Sequence, residues 1–425
     1  MSSIAILGRM YLDKQINRVL ICCPTSIVNV WPSEFEKFAD YPVTVMSIIG
    51  TKEKRIQKLE DLPHSPGLQV AVINYESTWR LEEELIQYNA DIIICDESQR
   101  IKGNATAQSK CLHRLGDKAS YRIILSGTPV QNSPLDLWSQ YRFLDKSIFG
   151  NSYYQHKGRY ALMGGYQQHQ VIAYINQREM TQKAHSIAYR VTKDEALDLP
   201  ETIDQFRYVD LEPKARKLYN EIEKESYAEL ENGGEVTAAI ILTRILRLQQ
   251  ITGGFISDDD KVSTAVSTAK LEALEDIIDD AGRKIVVFAR FRPEISAIKK
   301  MCERKKILYA MIDGSVDMAD RGAEVERFQN DKKCMVFIAQ IQTAGLGITL
   351  TAADIAVFYS LDYNYANYSQ ALSRIHRIGQ MNKCTYIHLL ASKSIDSKIM
   401  EALRKKESIA SSVIDNWREL LSSEV

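Results

Sequence analysis

The chain has 425 residues, 45% of them hydrophobic and 26% charged, with a formal net charge of −1. That is the make-up of a globular chain of two or three domains; it excludes a disordered polymer and gives no global pull toward nucleic acid, while leaving room for a local basic groove. No stretch is apolar for long enough to span a bilayer and the start lacks a basic signal-peptide region, so the chain reads as intracellular and soluble, with no membrane partner.

Residues 2–12 are apolar at helical spacing. Short continuous runs of β-branched and small apolar residues follow at 19–23, 70–73, 92–95 and 123–125. The same grammar returns at 285–288, 335–338, 355–358 and 387–390. Such runs suit strands buried on both faces of a parallel sheet, and helical patterns lie between them. The chain therefore predicts an α/β fold with two doubly wound parallel-sheet lobes.

Between the lobes, from about 144 to 267, the chain is rich in tyrosine and helical patterns and poor in strand runs. Lys and Arg outnumber Asp and Glu two to one over 141–195. This reads as an amphipathic helical insertion, with a nucleic-acid or partner surface as the alternative. The expected domains are 1–200 (first lobe and the start of the insertion), 201–266 (helical linker) and 267–425 (second lobe). Seven scattered cysteines without Cys-x-x-Cys spacing read as reduced core thiols.

Chemistry concentrates where strands end. Asp96-Glu97-Ser98-Gln99 follows directly on the run at 92–95. In a doubly wound sheet the carboxyl ends of strands bind ligands; an Asp there can hold Mg²⁺ and its neighbouring Glu can orient an attacking water. Taken alone, such a pair equally suits a loop that caps the next helix. Ser126-Gly127-Thr128-Pro129-Val130-Gln131-Asn132 leaves the strand at 123–125. Near the end, Arg374 and Arg377 stand at i and i+3, which places both guanidiniums on one helix face, in reach of phosphate oxygens.

With these motifs in order, the chain resembles the Swi/Snf family of helicase superfamily II over nearly its whole length. Asp96-Glu97-Ser98-Gln99 resembles its Walker B box, and Ser126 to Asn132 with Leu137-Trp138 its motif III. Cys23-Pro24-Thr25-Ser26, with Trp31 and Phe35, resembles motif Ia, and Ile73-Asn74-Tyr75-Glu76 motif Ib. Thr343-Ala344-Gly345-Leu346-Gly347 resembles motif V, and Gln370 through Arg374, Arg377 and Gln380 motif VI, with its distinctive Arg-Ile-Gly-Gln ending.

The resemblance implies two RecA-like lobes, ATP and Mg²⁺ as cofactors, and double-stranded DNA as partner, with other DNA-processing proteins as further candidates. It assigns Asp96 to the metal, Glu97 to the attacking water, Gln99 to the same catalytic box, and Arg374 and Arg377 to phosphates. Gly345 and Gln380 fall at the nucleotide. Thr25, Ser126, Thr128, Gln131, Asn132 and Thr343 fall to DNA contact or coupling. The implied activity is a DNA-stimulated ATPase moving along duplex DNA, in the cytoplasm, nucleoid or nucleus of a cell, or of viral origin.

The pattern breaks at one place. The phosphate-binding loop of such motors needs Gly-Lys-Ser/Thr, and the chain contains no Gly-Lys pair. The helix at 2–12 is the kind that follows that loop, so three explanations stand: a fragment or internal start, a loop supplied by another chain, or a pseudo-ATPase. Loss of the loop's strand would also leave an open sheet edge. Gln99 stands where His is usual, and Ser373 where an acid is common. A strand-separating helicase and a non-catalytic DNA-binding scaffold are the rival readings.

Overall fold

A strand buried on both faces divides its side chains between two layers, because successive Cβ atoms point to opposite sides. In the first sheet Leu20, Cys22, Ala71, Ile73, Ile93 and Cys95 enter one core with Leu59, Leu85, Leu112 and Phe143. Their neighbours Val19, Ile21, Cys23, Val70, Val72, Ile92 and Ile94 enter the other, with Ile4, Leu7 and Phe35. Each fully buried aliphatic side chain contributes about 1.5–3 kcal/mol relative to leaving it in water, so the two layers fix the register of every strand.

The computed structural model describes all residues except 1, 165–169, 192, 232–237, 258–261, 317, 343–347 and 415–425. The chain divides into two units, Met1–Arg190 with Ser408–Val425, and Val191–Glu407. Among the described residues no helix is long and apolar enough to cross a membrane.

The first unit carries strands β1 (Arg18–Cys23), β2 (Val43–Ser47), β3 (Leu68–Asn74), β4 (Ile92–Asp96) and β5 (Tyr121–Leu125) in the order β2-β3-β1-β4-β5. All pairs are parallel, with Cys22 opposite Ile73 on one side and Cys95 on the other. Around them run α1 (Ser2–Leu12), α2 (Val30–Phe38), α3 (Lys52–Asp61), α4 (Tyr75–Thr78), α5 (Glu82–Tyr88), α6 (Ala107–Lys118), α7 (Leu137–Leu144), α8 (Lys146–Phe149), α9 (Tyr153–Tyr160) and α10 (Gln177–His185). A hairpin of β6 (Ala161–Gly164) and β7 (Gln170–Tyr174) lies between the last two helices. The seam between α1 and the core is tight: a Cβ at Gly8 would meet the Tyr41 ring at 2.2 Å, and the Tyr41 hydroxyl donates to Ile4 O at 2.7 Å.

β5 is an edge strand of this sheet, with Ile123, Ile124 and Leu125 half-buried. A groove of 410 Å³ runs along it, bounded by α1, α7 and the segment after α10.

The second unit begins with α11 (Lys193–Ala196), β8 (Thr202–Val209), α12 (Pro213–Glu231) and α13 (Ala238–Thr252). A short antiparallel pair, β9 (Phe255–Ser257) and β10 (Ser263–Ala265), precedes α14 (Ala269–Ala281) and β11 (Ile285–Ala289). Then come α15 (Arg292–Lys305), β12 (Leu308–Ile312), α16 (Met318–Asn330), β13 (Cys334–Gln340), β14 (Ile355–Phe358), α17 (Tyr365–Leu372), β15 (Cys384–Ala391) and α18 (Ile395–Ile414). Its sheet is parallel throughout, in the order β12-β13-β11-β14-β15-β8.

The two doubly wound sheets are as expected, and all eight apolar runs are strands. The segment read as a helical linker differs, because it contains β8, which joins the second sheet beside β15. β8 is an edge strand with most of its side chains exposed, so it lacks the continuous apolar run of its neighbours. All seven cysteines are buried, and none is in a disulfide.

Candidate active site

The first group of functional side chains collects at the carboxyl ends of β1, β3, β4 and β5. Asp96 closes β4, and Glu97 follows in a left-handed conformation at φ 53°. A non-glycine residue pays about 1–2 kcal/mol for that region, and such strain gathers at functional sites where the surroundings over-determine it. The turn aims two consecutive carboxylates from the sheet rim. Asp96 is held from three directions. Its Oδ2 accepts from Trp31 Nε1 at 3.1 Å, its carbonyl from the Tyr75 hydroxyl at 2.7 Å, and its Oδ1 from the Glu97 N–H at 3.0 Å. Burial and the adjacent Glu97 charge push its carboxyl up to about 6, with the Trp31 hydrogen bond acting in the opposite direction.

From Glu97 a chain of hydrogen bonds leads to the loop after β5. Gln99 Nε2 donates to Glu97 Oε2 at 2.5 Å, and Gln99 Oε1 accepts from Ser126 Oγ at 2.7 Å. Ser126 Oγ in turn accepts from the Thr128 N–H at 3.1 Å. The loop is pinned further on. Lys102 Nζ donates to Gln131 Oε1 at 2.6 Å, and Asp136 Oδ2 accepts from the N–H groups of Gln131 and Asn132 at 3.1 and 2.9 Å. Gln140, buried under the loop, takes a bond from Ser98 Oγ at 2.7 Å and donates to Pro129 O at 2.8 Å. Thr25 is exposed beyond β1, with its hydroxyl 3.4 Å from Glu76 Oε2.

In the second unit Arg374 and Arg377 each donate through Nη1 to Ile348 O at 3.3 Å. They do so from a turn, not from the expected helix. α17 stops at Leu372, where Ser373 Oγ bonds back to Ser369 O at 2.8 Å and Gln370 O at 3.2 Å. A serine that satisfies the last helical carbonyls competes with continuation of the helix. Gln380 is 5% exposed, and its amide donates to Ala353 O at 2.9 Å and Ile375 O at 3.1 Å, which clasps the end of this turn. Thr343 and Gly345 lie outside the described residues.

Five residues of this arrangement were not singled out for it in the sequence: Trp31, Tyr75, Lys102, Asp136 and Gln140. Trp31 and Tyr75 sit inside recognisable motifs, but an indole meeting a carboxylate 65 positions away has no local signature.

The model of the SNF2-related domain matches residues 1–253, and that of the helicase conserved C-terminal domain matches residues 269–379. The chain belongs to the SNF2-related family. This SNF2-related chain is 27% identical over 409 residues to an uncharacterized ATP-dependent helicase of Mycoplasma genitalium, a match that covers 95% of the chain and 38% of the relative. It is 26% identical over 448 residues to the human DNA repair and recombination protein RAD54-like, covering 96% of the chain and 59% of the relative. The chain thus spans less than two thirds of either protein. Among solved structures, the Sulfolobus solfataricus SWI2/SNF2 ATPase core in complex with dsDNA is 24% identical, with a TM-score of 0.42, and the match covers 99% of this chain and 87% of that one.

The donor set at Asp96 suits a divalent cation. Burial and the Glu97 charge beside it raise the proton affinity of Asp96, and a cation relieves that repulsion. Among the described residues no cluster of three or more His, Cys, Asp or Glu forms a metal cage.

Proposed function

We propose that this SNF2-related chain is the core of a DNA-stimulated ATPase that moves along double-stranded DNA. The observation that carries the reading is Glu97, strained into the left-handed region beside Asp96 and tied through Gln99 to the Ser126–Thr128 loop. Such a carboxylate is fixed in direction and suited to orient a water for attack on a terminal phosphate. Asp96 would hold Mg²⁺, which when bound neutralises charge on the phosphates.

Arg374 and Arg377, converging on one carbonyl, supply two forked cations suited to phosphate oxygens. Thr25, exposed at the end of β1, supplies a hydroxyl for a backbone phosphate, a contact without sequence preference. Ser126 and Thr128 are proposed to transmit the state of the nucleotide, which their bonds into the same chain as Glu97 support. Gln131 and Asn132 extend that loop, and Thr343 and Gly345 are proposed for motif V contacts on resemblance alone.

Hydrolysis needs a phosphate loop that these 425 residues do not carry. The test is ATP turnover, with and without duplex DNA, on this chain and on the same reading frame extended upstream. Duplex-stimulated turnover in the extended form supports the reading, and a strand-separation assay on that form distinguishes translocation from unwinding. Duplex binding by both forms with turnover by neither would replace the motor by a DNA-binding scaffold.

A further inference from the structure

A second feature of the same sheet rim is not used by this chemistry. A recess of 190 Å³ is lined by Gly50, Lys52, Arg55, Ser77, Arg80 and Leu81. Three of the six are cations and none is an acid. Lys52 and Arg80 are exposed at its rim, and Arg55 is half-buried.

The Arg55 guanidinium is fixed. Its Nε donates to Gly50 O at 2.8 Å, and its Nη1 donates to Asn74 Oδ1 at 3.3 Å and to Ser77 Oγ. Gly50 turns the chain at φ +116°, a conformation closed to other side chains, which brings the backbone against Arg55. The first residue of α3, Lys52, lines the recess, so the positive end of that ten-residue helix adds to the field. Gathering three cations with no counter-charge in the lining raises their mutual energy, and a bound anion removes that cost.

The recess is joined to Thr25. Asn74, which holds Arg55 by its carbonyl oxygen, donates through Nδ2 to Glu76 Oε2 at 2.9 Å, the same atom that takes the Thr25 hydroxyl. β2, β3 and β1 are neighbours in the sheet, so their carboxyl ends set the recess and Thr25 about 5–10 Å apart. At 190 Å³ the recess is smaller than the roughly 300–1,000 Å³ of pockets that enclose whole small molecules. It has room for a phosphate group but not for a nucleotide.

We propose that this recess seats one phosphate of a duplex DNA backbone, a step along the strand from the phosphate at Thr25. The inference rests on the DNA reading above and adds a site to it. Arg55 forms the floor, Lys52 and Arg80 close over the phosphate from the rim, and no base is read, so the contact sets position and not sequence.

The experiment uses the whole chain and the double variant K52A/R80A, whose two changes are at exposed positions. Duplex binding is followed by fluorescence anisotropy over a series of salt concentrations, on two unrelated sequences. Inorganic phosphate is titrated separately, with thermal unfolding as the readout. One lost phosphate contact makes the slope of log K against log salt shallower by about 1. The expected result is that change on both sequences, together with a phosphate-induced rise in Tm that the variant lacks. An unchanged slope overturns the backbone assignment: with the Tm difference retained the recess is a free-anion site, and with it absent no anion is held there. A wild-type chain that binds no duplex but keeps the Tm difference defeats the DNA reading and leaves the anion site standing.

Discussion

Lys270→Met tests how the second unit is held together. Lys270 is 2% exposed at the start of α14, with its Nζ 2.7 Å from Asp396 Oδ2 and 3.0 Å from Tyr359 O. Asp396 also accepts from Thr252 Oγ1 at the end of α13, at 2.9 Å, and from the Ala391 N–H at the end of β15, at 3.0 Å. One ion pair therefore joins α13, α14, α18 and the sheet. Methionine keeps most of the volume, so packing changes little, but Asp396 is left as a buried charge without its counter-ion. Breaking one side of a buried pair costs about 3–5 kcal/mol. The two remaining donors on Asp396 place the loss at the lower end, about 3 kcal/mol. At about 2–4 °C per kcal/mol for a unit of this size, Tm falls by about 6–12 °C. Calorimetry of the second unit's transition, with urea unfolding alongside, reads the change. K270M/D396N removes both charges and recovers most of the loss. A single variant that loses under about 1 kcal/mol, or a double variant no better than the single, refutes the argument.

Three further outcomes follow from the same geometry. Burial pushes the Glu294 carboxyl up to about 7, against hydrogen bonds from Ser360 and from the N–H groups of Phe291 and Arg290. The folded state thus holds this proton more tightly than the unfolded one, so its stabilisation is complete below the ordinary glutamate range and is lost as pH rises through about 7. E294Q flattens the fall of Tm between about pH 5 and 8, and parallel curves for the two proteins would count against the assignment. Glu97→Gly relieves the left-handed strain and stabilises the fold by about 1 kcal/mol, while lowering turnover of the upstream-extended form by about 10²–10⁴-fold. Urea unfolding and ATP turnover separate the two effects, and E97A keeps the loss without the gain. Trp31→Phe removes a donor to Asp96 worth about 1.5–3 kcal/mol. The Mg²⁺ concentration for half-maximal turnover of the extended form should rise about tenfold or more, and an unchanged Mg²⁺ dependence would show that the indole is packing alone.

What was legible in the sequence follows from burial. Strands covered on both faces, such as β1, β4, β11 and β14, are written as unbroken apolar runs and stand out. β2 and β8 are half-buried or exposed strands with polar residues interleaved, and they resemble loop or helix until the sheet is assembled. β12 is a run of apolar residues without β-branching until its last position and is only partly buried, so it stands out less than its neighbours. At the site, the place of Asp96 and Glu97 at a strand end was readable, because the apolar run at 92–95 stops there. The expected helix under Arg374 and Arg377 is a turn instead, since α17 ends at Leu372, where the Ser373 hydroxyl bonds back to Ser369 O. The partners of Asp96 were hidden for a different reason: Trp31 and Tyr75 reach it only through the order in which the strands lie side by side.

Gln99 gives the link between Glu97 and the Ser126 loop a direction. Its side-chain amide donates toward Glu97 and accepts from Ser126, so the link has a polarity. Turned by half a rotation, the amide would set its carbonyl against the Glu97 carboxylate, and that arrangement is repulsive. The two orientations are therefore unequal. An imidazole in this position would lend the link its own titration near neutral pH. An amide has none, so the link between the carboxylate and the Ser126 loop rests on orientation alone.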